Sequence, residues 1–174
     1  MDSSDTIKYA GVRDKCYGVA GMTIALAVYD KEQSIESVSV DRPDIDSISF
    51  CPDFRYVANQ HMSAKSAWVA AIEHFRIVAA LLIANVMCRN MVMKQCEVTH
   101  SQLQTLLSLI TEEGIKAYQL DDDECSSIFN NNYRHLYRVF AHPAVHDVTH
   151  RLCLRLEENR EIFRSELLEL LSAL

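Results

Sequence analysis

The chain is poor in the residues that interrupt regular structure, since its 174 positions include only four glycines and three prolines. Folds with many tight turns, such as β-sandwiches, need more of both residues, and so do collagen-like or low-complexity chains. Disorder is also excluded, because 49% of the residues are hydrophobic and can supply a core. These shortages predict a fold built mainly from helices, and the length of the chain predicts one domain, residues 1–174.

The six cysteines include no Cys-x-x-Cys pair, so the sequence predicts neither a zinc ribbon nor a thioredoxin-like redox motif. A domain of this length can be stable without disulfides, and cysteines on apolar helical faces are usually buried thiols. We therefore expect reduced cysteines that lie mostly in the core.

A targeting or membrane segment is not predicted either. The apolar stretch at residues 16–29 has acidic as well as basic residues before it, unlike a secretory signal peptide. Residues 67–88 are mostly apolar, but Glu73, His74 and Arg76 interrupt them within two turns. Ionisable side chains are rare in membrane spans, because burying them in a bilayer is energetically unfavourable. We expect a soluble, cytoplasmic protein with no membrane partner.

The formal net charge of −7 disfavours a general nucleic-acid binder, which needs a broad basic face to displace counterions from phosphates. The charge balance therefore favours another protein or a small molecule as the partner.

The longest helical signal covers residues 64–96, where apolar side chains occupy nearly every face. One series repeats every three or four positions: Trp68, Ile72, Phe75, Ala79, Leu82, Val86 and Met93. A helix of this kind must be covered on all sides. The pattern predicts an all-α fold, an antiparallel bundle of about five helices around this long buried central helix.

The segments before the central helix differ from each other. A first helix is predicted from about residue 4 to residue 31, and its glycines (Gly11, Gly18 and Gly21) would allow a neighbouring helix to approach closely. Residues 33–60 contain two of the three prolines and many acidic residues. This composition indicates an irregular connector with one or two short extended pieces.

Three further helices are predicted after the central one. Ser101 is a candidate N-cap for the first, and the acidic run that starts at Asp121 is typical of the first turn of the second. The last should run from Pro143 to about residue 172, with apolar positions that repeat every eleven residues. Such a helix would be roughly 45 Å long. It would project from the domain, so we expect a homodimer or another homo-oligomer.

The strongest chemical candidate is the pair His146 and His150, which lie one turn apart on one helical face. Two imidazoles at this spacing can share a zinc ion if further ligands come from elsewhere. His74 on the central helix is the candidate third ligand. No cofactor is predicted otherwise.

This motif resembles three known metal-binding patterns. Residues 146–150 resemble the zincin signature with Asp147 in place of glutamate, but the downstream Glu166 and Glu169 are too far along the predicted helix to be ligands. His146 and Asp147 also resemble the paired residues of HD-type phosphohydrolases, which need a later aspartate that this chain lacks. A looser similarity is to helical-bundle metal proteins of the DinB type, and it implies a third histidine on an earlier helix.

Two other groups of polar residues have functional and structural interpretations. The stretch 130–155 is locally basic and could receive a phosphate or RNA, although an ion-paired surface explains it as well. Within the central helix, His74, Asn85 and Arg89 share one side. They could line a pocket, but hydrogen bonds between helices are the commoner role of such residues.

These observations favour a non-enzymatic interaction or assembly module. The first alternative is a metal-dependent hydrolase or transferase that uses His146 and His150. A weaker alternative is an RNA- or phosphate-binding protein.

Overall fold

A computed structural model describes residues 7–54 and 63–174, and these residues form a fold dominated by helices, as predicted. Six α-helices are present in them: α1 (Val12–Val28), α2 (Ala64–Met87), α3 (His100–Tyr118), α4 (Asp122–Phe140), α5 (Pro143–Asn159) and α6 (Arg164–Leu171). Three short strands, β1 (Ile35–Ser39), β2 (Ile48–Phe50) and β3 (Glu161–Phe163), form a sheet in the order β2-β1-β3.

Helix α1 is the most enclosed element, since every residue from Cys16 to Leu26 is buried. It packs against α2 and α5. A Cβ atom at Gly21 would lie 2.6 Å from the carbonyl oxygen of Ala84, and one at Gly18 would lie 2.8 Å from Nδ2 of Asn85. The close approach predicted from the glycines is therefore confirmed at these two positions, whereas Gly11 precedes the helix.

Helix α2 begins after Ser63, whose hydroxyl accepts a hydrogen bond from the Ser66 N–H, as expected of an N-cap. It is largely buried from Phe75 onward, while Trp68 and Val69 in its first turns are about half exposed. The helix continues through a π-helical turn, Cys88–Met93, to nearly the predicted end. The combined segment Ala64–Met93 is long and apolar enough to cross a membrane, but the core helix of a water-soluble protein meets the same criteria.

Local capping signals set the starts of the next helices. Thr99, rather than the predicted Ser101, caps α3 through a capping box with Gln102. Asp121 and Glu124 form a second capping box at the start of α4, so the acidic run has the role that the sequence predicted for it.

The prediction of one continuous last helix is wrong. Helix α5 ends at Asn159, because Arg160 takes a left-handed conformation with φ of 64°. The following strand β3 pairs antiparallel with β1, placing Val38 opposite Ile162. Helix α6 is a separate, eight-residue element. The long projecting helix from which we inferred a dimer is therefore absent from the described structure.

The predicted connector contains the expected extended pieces, which are β1 and β2; residues 55–60 of that segment lie outside the described residues. Arg42, which follows β1, links β1 to β3. Its Nη2 donates to Ser37 Oγ on β1 at 2.8 Å and to Glu161 Oε1 on β3 at 2.6 Å.

Candidate ligand-binding pocket

The two histidines of α5 each have a hydrogen-bond partner. Nε2 of His146 donates to the carbonyl oxygen of Phe140 at 2.7 Å. Nδ1 of His150 lies 2.9 Å from the hydroxyl oxygen of Tyr17 on α1. One nitrogen of each ring is therefore engaged with protein. His142 caps α5, since its Nδ1 accepts from the Ala144 N–H.

His74 faces a different part of the molecule. Its ring centroid lies 5.6 Å from that of Phe54, beside a cleft that Arg42 and Phe50 also line. Burial lowers the pKa of His74 below its ordinary value. Among the residues that the structure describes, no group of three or more His, Cys, Asp or Glu side chains is arranged to hold a metal ion. His74, His146 and His150 therefore do not form a ready three-ligand site.

A depression of about 340 Å³ lies on the basic stretch, and its lining residues all belong to α4. Tyr137 donates from its hydroxyl to Glu97 at 2.9 Å there. Arg155 forms ion pairs with Glu158 and Glu166, as the surface interpretation expects. A depression between side chains of one helix gives a ligand little enclosure, so this surface is a weak candidate.

The polar row on α2 and the following π-helical turn leads to a better candidate. Arg89 is 5% exposed, and its Nε and Nη2 donate to the two carboxylate oxygens of Asp14 at 2.7 and 2.6 Å. Its Nη1 donates to the carbonyl oxygen of Ile7 at 2.6 Å, and Nη2 donates to that of Lys8 at 2.7 Å. The prediction of hydrogen bonding between elements is confirmed for this residue.

These bonds hold residues 7–10, which we call the strap, against α2. The Ala10 N–H donates to Oδ2 of Asp14 at 2.8 Å, and the guanidinium of Arg89 lies 4.8 Å from the ring centroid of Tyr9. That distance suits a cation–π contact. Burial raises the pKa of Asp14, but the hydrogen bonds from Arg89 and Ala10 outweigh it, so its pKa lies below the ordinary value.

The strap forms one wall of a pocket of about 460 Å³, which we call the strap pocket. Its other walls come from α1, α2 and α3, and the lining residues are Ile7, Lys8, Tyr9, Met22, Asp44, Leu82, Asn85, Val86 and Leu106. Most of these side chains are apolar. The two charged ones, Lys8 and Asp44, are solvent-exposed, so the interior of the pocket is the apolar part.

Two neutral polar groups meet inside the strap pocket. Nδ2 of Asn85 donates to the hydroxyl oxygen of Tyr9 at 2.7 Å. Burial raises the pKa of Tyr9, with smaller opposing effects from Asn85 and Arg89, so the phenol stays protonated at neutral pH. Tyr9 can therefore donate its hydroxyl hydrogen to a ligand, and Oδ1 of Asn85 can accept one.

Comparison with known proteins found no matching family model, no similar curated protein and no similar solved structure. The function must therefore be argued from the site.

Our sequence interpretation placed residues 7–10 inside the first helix and so missed the strap and Tyr9. One signal could have found the contact between α1 and α2. Asp14 and Arg89 are opposite charges within two apolar helical stretches, and buried charges are normally paired.

Proposed function

We propose that this protein is a non-enzymatic binding module whose ligand is a small, mostly apolar molecule with one polar group. The observation that carries the proposal is the strap pocket, in which apolar walls surround the Tyr9–Asn85 pair. Its volume of about 460 Å³ lies within the range of about 300–1,000 Å³ that is typical of pockets for small organic ligands.

The polar pair would orient the ligand. Between described residues, the bond from Asn85 is the one side-chain hydrogen bond of the Tyr9 hydroxyl. A ligand hydroxyl or carbonyl oxygen could accept the Tyr9 hydrogen while its apolar body contacts Leu82, Val86 and Leu106. A purely apolar ligand would leave this hydrogen without a partner, which costs free energy in a buried site.

The state of three buried thiols favours binding over catalysis by a core cysteine. Burial raises the pKa of Cys16 to about 11 and also raises the pKa of Cys88 and Cys153, so these thiols stay protonated at neutral pH. A protonated thiol is a poor nucleophile.

The proposal also includes a cytoplasmic location and a homodimeric state. A reduced state of all six cysteines suits a cytoplasmic location.

A fluorescence titration with 2-naphthol tests the proposed pocket, with naphthalene as the ligand that lacks the polar group. We expect 2-naphthol to bind the wild type and to lose most of its affinity for Leu82→Trp, in which the larger ring fills the pocket. The matched control is Ile115→Trp, because Ile115 is 46% exposed on α3 and does not line the strap pocket. Equal binding to both variants would contradict the proposal.

The polar pair is tested by Tyr9→Phe, which keeps the ring and removes the hydroxyl. We expect the affinity for 2-naphthol to fall about two- to tenfold, the effect of one hydrogen bond. The affinity for naphthalene should stay the same or rise, because the variant has no hydroxyl hydrogen to leave without a partner. Parallel losses for both ligands would mean that the ring, rather than the hydroxyl, matters.

A further inference from the structure

A second cleft, of about 480 Å³, lies where helices α1 and α6 end. Its lining residues are Ala27, Val28, Glu32, Gln33, Leu168, Leu171, Ser172 and Leu174. None of these residues lines the strap pocket, so the two cavities have separate walls among the described residues.

Glu32 gives this cleft an unsatisfied polar atom. Its Oε2 is buried and has no hydrogen-bond partner, and it is the one side-chain nitrogen or oxygen of the described residues in that state. Glu32 also takes part in none of the ion pairs between described residues. A buried acceptor without a partner is costly, so such an atom points to a donor that binds there.

The two helix ends make the same place favourable for positive charge. Helix α1 ends at Val28 and α6 ends at Leu171, and neither has a basic residue in its last turn. The C-terminus of a helix carries roughly half a negative charge, which attracts cations. Oε1 of Gln33, which also lines the cleft, already accepts a hydrogen bond from Nη2 of Arg164 at 2.9 Å.

The remaining walls determine what kind of cation fits. Ala27, Val28, Leu168, Leu171 and Leu174 are apolar, and a bare Ca²⁺ or Mg²⁺ ion would need about six oxygen ligands instead. An ammonium group on a hydrocarbon chain matches both features. We propose that this cleft binds a primary alkylammonium ion, whose –NH₃⁺ group donates to the carboxylate of Glu32 while its chain packs on Leu168 and Leu171.

Calorimetric titration of the whole protein with n-hexylammonium chloride tests the proposal, with 1-hexanol as the neutral ligand of the same shape. We expect hexylammonium to bind the wild type more tightly than hexanol. Glu32→Gln should lower its affinity about tenfold or more, because the charged hydrogen bond is lost. The matched control is Glu36→Gln on the exposed side of β1, which should bind like the wild type.

Three outcomes would overturn the proposal: no binding of hexylammonium, equal binding of hexylammonium and hexanol, or equal affinity in Glu32→Gln and the wild type. Competition by potassium chloride beyond the effect of ionic strength would be a fourth such outcome, because it would make this a simple cation site. If Glu32→Gln fails to fold by circular dichroism, the comparison of hexylammonium with hexanol on the wild type decides alone. Leu82→Trp, which fills the strap pocket, should leave hexylammonium binding unchanged, so this result is independent of the proposed function.

Discussion

Arg89 in the π-helical turn after α2 and Asp14 at the start of α1 form a two-bond salt bridge in which both side chains are 5% exposed. The same guanidinium also binds the carbonyl oxygens of Ile7 and Lys8. One side chain therefore joins α1 to the end of the central helix and positions the strap that walls the pocket. Asp14 neutralises the positive charge of the buried Arg89 guanidinium. Loss of Asp14 should therefore lower the stability of the fold and disturb the strap pocket.

Asp14→Asn should lower the free energy of unfolding by about 3–5 kcal/mol, the cost of leaving a buried charge without its partner. Urea denaturation followed by circular dichroism measures the change. Glu73→Gln is the control, because it breaks the exposed pair with Arg76 and should cost no more than about 1 kcal/mol. Equal effects of the two substitutions would show that the Arg89–Asp14 pair contributes no more than a surface pair.

The stability that depends on Asp14 should also depend on pH. Its pKa is lower in the folded protein than the ordinary value of 3.8, so the charged form stabilises the fold above that value. This contribution is lost as the pH falls through the folded-state pKa. The difference in unfolding free energy between wild type and Asp14→Asn should therefore be largest near pH 7 and shrink below about pH 4. A difference that stays constant from pH 7 to pH 3 would contradict this linkage.

The six cysteines should differ strongly in their reaction with Ellman's reagent. Cys96 is exposed and Cys51 is partly exposed, whereas Cys16, Cys88, Cys125 and Cys153 are buried. We expect Cys96 to react fastest, Cys51 more slowly, and the four buried thiols only after unfolding. Cys96→Ser should remove the fast phase. Rapid reaction of more than two thiols in the native protein would show that the packing around at least one of the buried cysteines opens readily.

The homodimer remains a prediction. The fold limits the surfaces through which two protomers could associate. The glycine face of α1 is covered by α2, so the first helix is not available as an interface. Leu154 on α5 is 59% exposed and is the better candidate. Light scattering at micromolar concentration should give about twice the protomer mass of 19.8 kDa, and Leu154→Asp should give the protomer mass. A single-protomer mass for the wild type at every concentration would exclude the dimer.

The sequence alone determined the fold class and most helix positions, because those depend on local interactions. Apolar periodicity located α2, and short-range capping by Ser63 and Asp121 set the starts of α2 and α4. Glycine spacing correctly predicted close packing at Gly18 and Gly21. None of these signals requires knowledge of residues that are distant in the chain.

Tertiary structure decided the features that depend on distant partners. The apolar repeat of residues 143–172 is compatible with one helix, but pairing of Val38 with Ile162 across the sheet replaces it with a strand. Arg89 and Asp14 are 75 positions apart, so their pairing and the strap appear only when α1 and α2 pack. The spacing of His146 and His150 describes only one helix. It could not reveal that His74 lies beside Phe54 while His150 contacts Tyr17. A binding site needs several distant segments in one place, and periodicity carries no information about which segments meet.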